Sequence, residues 1–153
     1  MNNISIDAFK LTGIALGSKT TNENGQSAMD CGILWQQFEK GNCRERIPGR
    51  LSEEIVAVYY DYEGDHTQPF SYFIGCKVSA EAPVPEGFES LTIPAGTYGK
   101  VTAKGTMPDC VSDAWKEIWE GNFDRAYEKD FEIYDENSRD WKKSEVTIFI
   151  SQK

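Results

Sequence analysis

The sequence predicts an α+β fold: a duplicated β-α-β-β unit, giving a curved, antiparallel-rich sheet with two helices. Two stripes of apolar residues and the order of runs around them carry that expectation. Cys31, Leu34, Trp35 and Phe38 stand at i, i+3, i+4 and i+7, and Gly41 follows as a helix stop. Val111, Ala114, Trp115 and Ile118 repeat the spacing, Trp119 widens the stripe, and Gly121 closes it. Each stripe follows a strand-like run and precedes two more. Val58-Tyr59-Tyr60-Asp61 then aligns with Glu132-Ile133-Tyr134-Asp135, which marks two pseudo-repeats, about 1–79 and 88–153, within a single domain spanning 1–153.

The elements follow in order. Ser5 to Lys19 mixes Ile6, Phe9, Leu11, Ile14 and Leu16 with small and polar residues, and reads as a long strand with an irregularity at Gly13 or Gly17. Asn22-Glu23-Asn24-Gly25 is a turn cluster, and Ser27 with Asp30 resembles a helix cap. Asn42 to Glu53, with Pro48 and Gly49, predicts a loop or a short extra helix. Ile55–Tyr62 and Phe70–Ser79, rich in Val, Ile and aromatics, predict a strand pair joined by the loop 63–69. Pro83, Pro85 and Gly87 break the chain between the halves. Phe88–Ile93 and Thr97–Lys104 read as strands around Pro94-Ala95-Gly96, Thr106 and Pro108 announce the second helix, and Asp130–Asp135 and Glu145–Ser151 close the set.

Composition narrows the function classes. The chain has 153 residues, enough for a core without staples. Its formal net charge of -9 repels phosphate backbones, so no direct nucleic-acid partner is expected, while the same field draws cations. No run has the length of a membrane span, and Met1 to Lys10 has no secretory core, so a cytoplasmic protein with no membrane partner is expected. Cys31, Cys43, Cys76 and Cys110 form no C-x-x-C pair and read as reduced thiols.

Several motifs carry a resemblance. Val58-Tyr59-Tyr60-Asp61-Tyr62-Glu63 with Phe70-Ser71-Tyr72-Phe73-Ile74-Gly75, then Ile93-Pro94-Ala95-Gly96-Thr97-Tyr98, Trp115-Lys116-Glu117-Ile118-Trp119 and Asp130-Phe131-Glu132-Ile133-Tyr134-Asp135, occur in one order over nearly the whole chain. Together they resemble the GyrI-like, or AraC-type, effector-binding domains of bacterial multidrug-sensing regulators. The resemblance implies the duplicated unit inferred above and a lipophilic cation held between helices and sheet. It also implies a glutamate facing that cation, here Glu132. Unlike the regulators, the chain leaves no room for a helix-turn-helix before its first strand, so a stand-alone binding protein is expected.

The residues themselves leave the exposure of Glu132 open. It shares a strand face with Tyr134, opposite Phe131 and Ile133. Charged strand residues usually face water. A buried one must be paired or see its pKa rise, and a bound cation would restore the pairing. On the repeat alignment Val58 and Tyr60 lie on the Glu132 face, Trp35 and Trp115 descend from the helices, and Tyr98 and Phe149 complete the wall. Aromatic faces would each add about 0.5–2 kcal/mol to cation binding.

Other constellations are weaker. Asp61, Glu63, Asp65 and the sole histidine, His66, read as a solvated hairpin loop rather than a metal site. His66 lies near no G-x-S-x-G elbow, Cys110 reads as an inert thiol, and Gly96 and Gly99 make no phosphate loop. No cofactor is expected. The leading expectation is a binding module without chemistry, and one open sheet face would allow a homodimer. A hydrolase of electrophilic small molecules with Glu132 as base and Tyr60 or Trp115 beside it, and an acidic gyrase-inhibiting interaction module, are the alternatives.

Overall fold

The β-branched and aromatic runs become strands, and the two stripes become helices. The structure is a computed structural model that describes residues 2–121 and 124–153. Its strands are β1 (Asn2–Ile6), β2 (Phe9–Ala15), β3 (Ile55–Tyr60), β4 (Ser71–Val78), β5 (Glu89–Ile93), β6 (Gly96–Gly105), β7 (Asp130–Tyr134) and β8 (Ser144–Ser151). The helices are α1 (Gln26–Lys40), the one-turn α2 (Cys43–Arg46) and α3 (Asp109–Glu120). No helix among the described residues is long and apolar enough to cross a membrane.

All eight strands join one antiparallel sheet in the order β1-β6-β8-β7-β3-β4-β2-β5. The duplication is visible in it: β2-β4-β3 on one side mirrors β6-β8-β7 on the other, each set with its own helix. The leading strand of each half crosses over, so β1 pairs with β6 and β5 with β2.

That exchange forces a curl. Ile6 pairs with Gly96, and Phe9 pairs with Ile93, so one register continues past the links Asp7–Ala8 and Pro94–Ala95. Yet β1 and β2 stand near opposite ends of the strand order. A two-residue link spans at most about 11 Å, whereas six strand spacings in a flat sheet need about 29 Å. The sheet therefore bends until its ends meet. The expected irregularity of the first strand falls at Asp7–Ala8, not at Gly13 or Gly17, because the crossing is where the chain must change partners.

The curl encloses Leu11, Val56, Val58, Phe73, Ile93, Tyr98, Phe131 and Ile133. Phe9 of β2 meets Phe131 of β7 across this interior, with ring centroids 5.4 Å apart. Both helices pack on the outer face: Leu34 and Phe38 of α1 against Ala57, Tyr72 and Ile74, and Ala114, Trp115 and Ile118 of α3 against Ala103, Val146 and Ile148. Gly41 and Gly121 stand at the two helix ends. The expected Ser27 cap is displaced: Gly25, with φ of 72°, occupies the N-cap, and the Ser27 hydroxyl donates to Asn22 Oδ1 instead.

Gly13 and Gly75 face each other across β2 and β4. A Cβ at Gly13 would fall on the Ile74 carbonyl oxygen, and one at Gly75 on that of Thr12, so neither position has room for a side chain. Gly13→Ala should lower stability by about 3 kcal/mol. Urea denaturation checks it: the midpoint falls while the slope stays unchanged.

Candidate functional site

In β7 the alternation of a strand divides the work between two faces. Phe131 and Ile133 enter the enclosed core, while Asp130, Glu132 and Tyr134 turn to the helix face. Both acids are wholly buried. They solve the problem of burial differently.

Glu132 is surrounded by neutral donors. Tyr134 Oη donates to Oε1 at 2.7 Å, and Trp115 Nε1 and Tyr59 Oη donate to Oε2 at 2.6 and 3.0 Å. No lysine or arginine pairs with it among the described residues. Burial pushes its pKa up, against the pull of the hydrogen bonds from Tyr134, Trp115 and Tyr59. The same burial, joined by the Glu132 charge, holds the Tyr59, Tyr72 and Tyr134 hydroxyls well above the usual tyrosine value, so they stay protonated.

Asp130 is ion-paired. Arg125 Nη2 donates to Oδ2 at 2.7 Å, and Tyr62 Oη donates to the same oxygen at 2.6 Å. The Ser151 amide and hydroxyl donate to Oδ1 at 2.8 and 3.0 Å. The guanidinium lies 4.2 Å from the Tyr127 ring centroid and 5.8 Å from that of Trp115.

The rings form a continuous layer around Glu132. Tyr59 meets Tyr72 and Trp115, each at 4.9 Å, and Trp35 meets Tyr134 at 4.8 Å while donating to Tyr72 Oη at 2.8 Å. Above this layer a cleft of about 420 Å³ opens between the first half of α1 and α3. Tyr59, Tyr62, Phe70, Trp115, Trp119 and Arg125 are among its lining residues, and His66 stacks on Trp119 at 5.3 Å. Glu132 does not itself line the cleft; it lies behind Tyr59 and Trp115, which do.

Of the seven residues singled out in the sequence, Glu132, Tyr134, Trp115 and Trp35 come together here. Tyr60, Tyr98 and Phe149 do not: they belong to the enclosed face, where Tyr98 and Phe149 pack on Phe131 at 5.5 and 4.9 Å. The repeat alignment was one residue out of step. Ala57, not Val58, pairs with Glu132, and Tyr59 and Tyr134 each lie two residues beyond that pair. A one-residue slip exchanges the faces of a strand, so Tyr59 takes the place expected of Tyr60. Asp130 was legible from its even spacing to Glu132 and Tyr134. Arg125 stands in an irregular segment with no periodicity to flag it. Among the described residues no group of His, Cys, Asp and Glu is arranged to hold a metal ion.

A curled antiparallel sheet of eight strands with two long helices on its outer face is the GyrI-like effector-binding fold. Within that class, residues 4–151 match the family described as Cass2, integron-associated effector binding protein, and the chain belongs to it. An integron cassette protein of Vibrio cholerae is 26% identical with a TM-score of 0.75, over 99% of this chain and 95% of that one. YobU of Bacillus subtilis, a candidate transcriptional regulator by name, is 27% identical over 124 residues, 78% of each chain. The structure of SAV2435 bound to tetraphenylphosphonium shares the fold at 17% identity and a TM-score of 0.77, covering 99% of this chain and 93% of that one.

The raised pKa of Glu132 makes a prediction about pH. Folding favours its protonated form, so that contribution to stability is complete below the ordinary value of 4.5 and is lost as pH rises through the folded value. Glu132→Gln keeps the shape and removes the charge. The ligand-free variant should be more stable than the wild type at pH 7, and the difference should shrink as pH falls to 4.5. Denaturant titrations at several pH values measure it.

Proposed function

We propose that this protein binds drug-sized lipophilic cations in the cleft between α1 and α3, with Glu132 as the counter-charge. One observation carries the reading: a wholly buried carboxylate whose three hydrogen-bond partners are all neutral. Neutral donors stabilise a carboxylate but leave its charge uncompensated, and a cation in the cleft supplies the compensation. At about 6 Å and an effective dielectric near 20, the attraction is about 3 kcal/mol. Each aromatic face adds about 0.5–2 kcal/mol.

The surroundings support the same class of guest. The cleft volume of about 420 Å³ lies in the range that small-molecule sites occupy. Its tyrosine and tryptophan walls suit flat apolar groups. The net charge of -9 raises the local concentration of cations. SAV2435, of the same fold, was captured with tetraphenylphosphonium. Aromatic contact and a single charge demand little exact geometry, which favours breadth over specificity.

A thermal-shift titration tests the proposal. Tetraphenylphosphonium at about 100 times its Kd stabilises by about 2.7 kcal/mol, which is a rise in Tm of about 5–10 °C for a chain of this size. Glu132→Gln should abolish that rise. Phe149→Leu, on the enclosed face, should lower the Tm of the free protein and leave the ligand-induced rise intact. Absence of any rise in the wild type overturns the reading.

A further inference from the structure

The lipophilic-cation reading uses Glu132 and the rings, but leaves unexplained the second charged centre that lines the same cleft. Arg125 is 5% exposed. Its Nη2 is committed to Asp130, yet Nε and Nη1 are buried with no acceptor among the described residues. The rings of Tyr127 and Trp115 lie near the guanidinium, but ring contacts do not supply the oxygen acceptor that an in-plane N–H seeks. Buried donors in native proteins are nearly always satisfied, and Arg125 lines a cleft from which an acceptor can arrive.

The charge balance says what kind of acceptor. Arg125 and Asp130 already neutralise each other, and both Asp130 oxygens are occupied by donors from Arg125, Tyr62 and Ser151. Asp130 is therefore no second cation site. A full anion at Arg125 would bring a charge the pair cannot match. A neutral oxygen acceptor satisfies the N–H groups without that cost.

We propose that Arg125 forms a hydrogen-bond-donating subsite of the cleft, which takes a carbonyl oxygen of the same ligand whose cationic centre faces Glu132. This rests on the lipophilic-cation reading and adds to it a preference for cations that carry a carbonyl group. Asp130 and Glu132 are two residues apart on one strand face, roughly 7 Å, and the two subsites that face them are proposed on the same scale. A carbonyl three carbons from the charged atom spans most of that distance.

Two probes differ only in that group: (4-oxo-4-phenylbutyl)triphenylphosphonium and its 4-phenylbutyl analogue. By calorimetric titration the ketone should bind the wild type at least about fivefold more tightly, the gain of one satisfied hydrogen bond. The Arg125 Nε–H resonance, in protein labelled with 15N-arginine, should move with the ketone and not with the hydrocarbon. Arg125→Lys keeps the ion pair to Asp130 and should bring the two affinities within twofold. Equal affinities in the wild type overturn the subsite and leave the cation reading standing. An advantage that persists in Arg125→Lys also overturns the subsite. Should that variant not fold, an Nε–H resonance unmoved by the ketone overturns it. Binding of neither probe overturns the cation reading and the subsite with it.

Discussion

Removing a carboxylate from water costs several kcal/mol unless a countercharge or a full set of donors receives it, and Glu132 is removed entirely. Its two oxygens are held by Tyr59, Trp115 and Tyr134, which come from three elements: β3, α3 and β7. The arrangement ties the central strands to α3 through one acid. It also holds the acid in a state that neutral donors improve but do not complete.

The duplication explains how such a centre arises. The two halves meet at β3 and β7, where Ala57 lies opposite Glu132 and the two hydroxyl donors Tyr59 and Tyr134 take matching places. One half supplies the acid, the other a small residue in the corresponding position that leaves space for it. The exchanged strands β1 and β5 keep the two halves from separating and curl the sheet shut. With the enclosed face filled by Phe131, Tyr98 and Phe149, the cleft lies outside the curl, between the helices.

Asp130 and Glu132 show how two acids on one strand face acquire different roles. Asp130 meets Arg125 and becomes half of an internal ion pair that joins β7 to β8 and to the segment before β7. Glu132 meets rings. Their side chains are the same in chemistry and nearly so in burial, so the difference lies in what the tertiary structure brings within reach of each.

Much of the architecture was legible in the residues. Periodicity placed both major helices, because an apolar stripe at 3.6 residues has one stable use. The Val, Ile and aromatic runs placed the strands, with ends moved by at most four residues and the long first run divided into β1 and β2, and the motif around Asp130–Asp135 pointed to Glu132. The face assignments were legible only within a strand. Tyr59 and Tyr60 differ in sequence by nothing that says which one faces the acid. That choice was made by the register of β3 against β7, and register is a property of pairing between distant segments. The same holds for Arg125, whose role exists only because the chain after α3 returns it to Asp130. The closure of the sheet, too, came from strands trading partners between halves, which local pattern does not encode. Local sequence thus determined which segments are helix or strand and which acid to watch. Long-range pairing decided what that acid touches, since a hydrogen bond depends on where two atoms meet and not on where their residues stand in the chain.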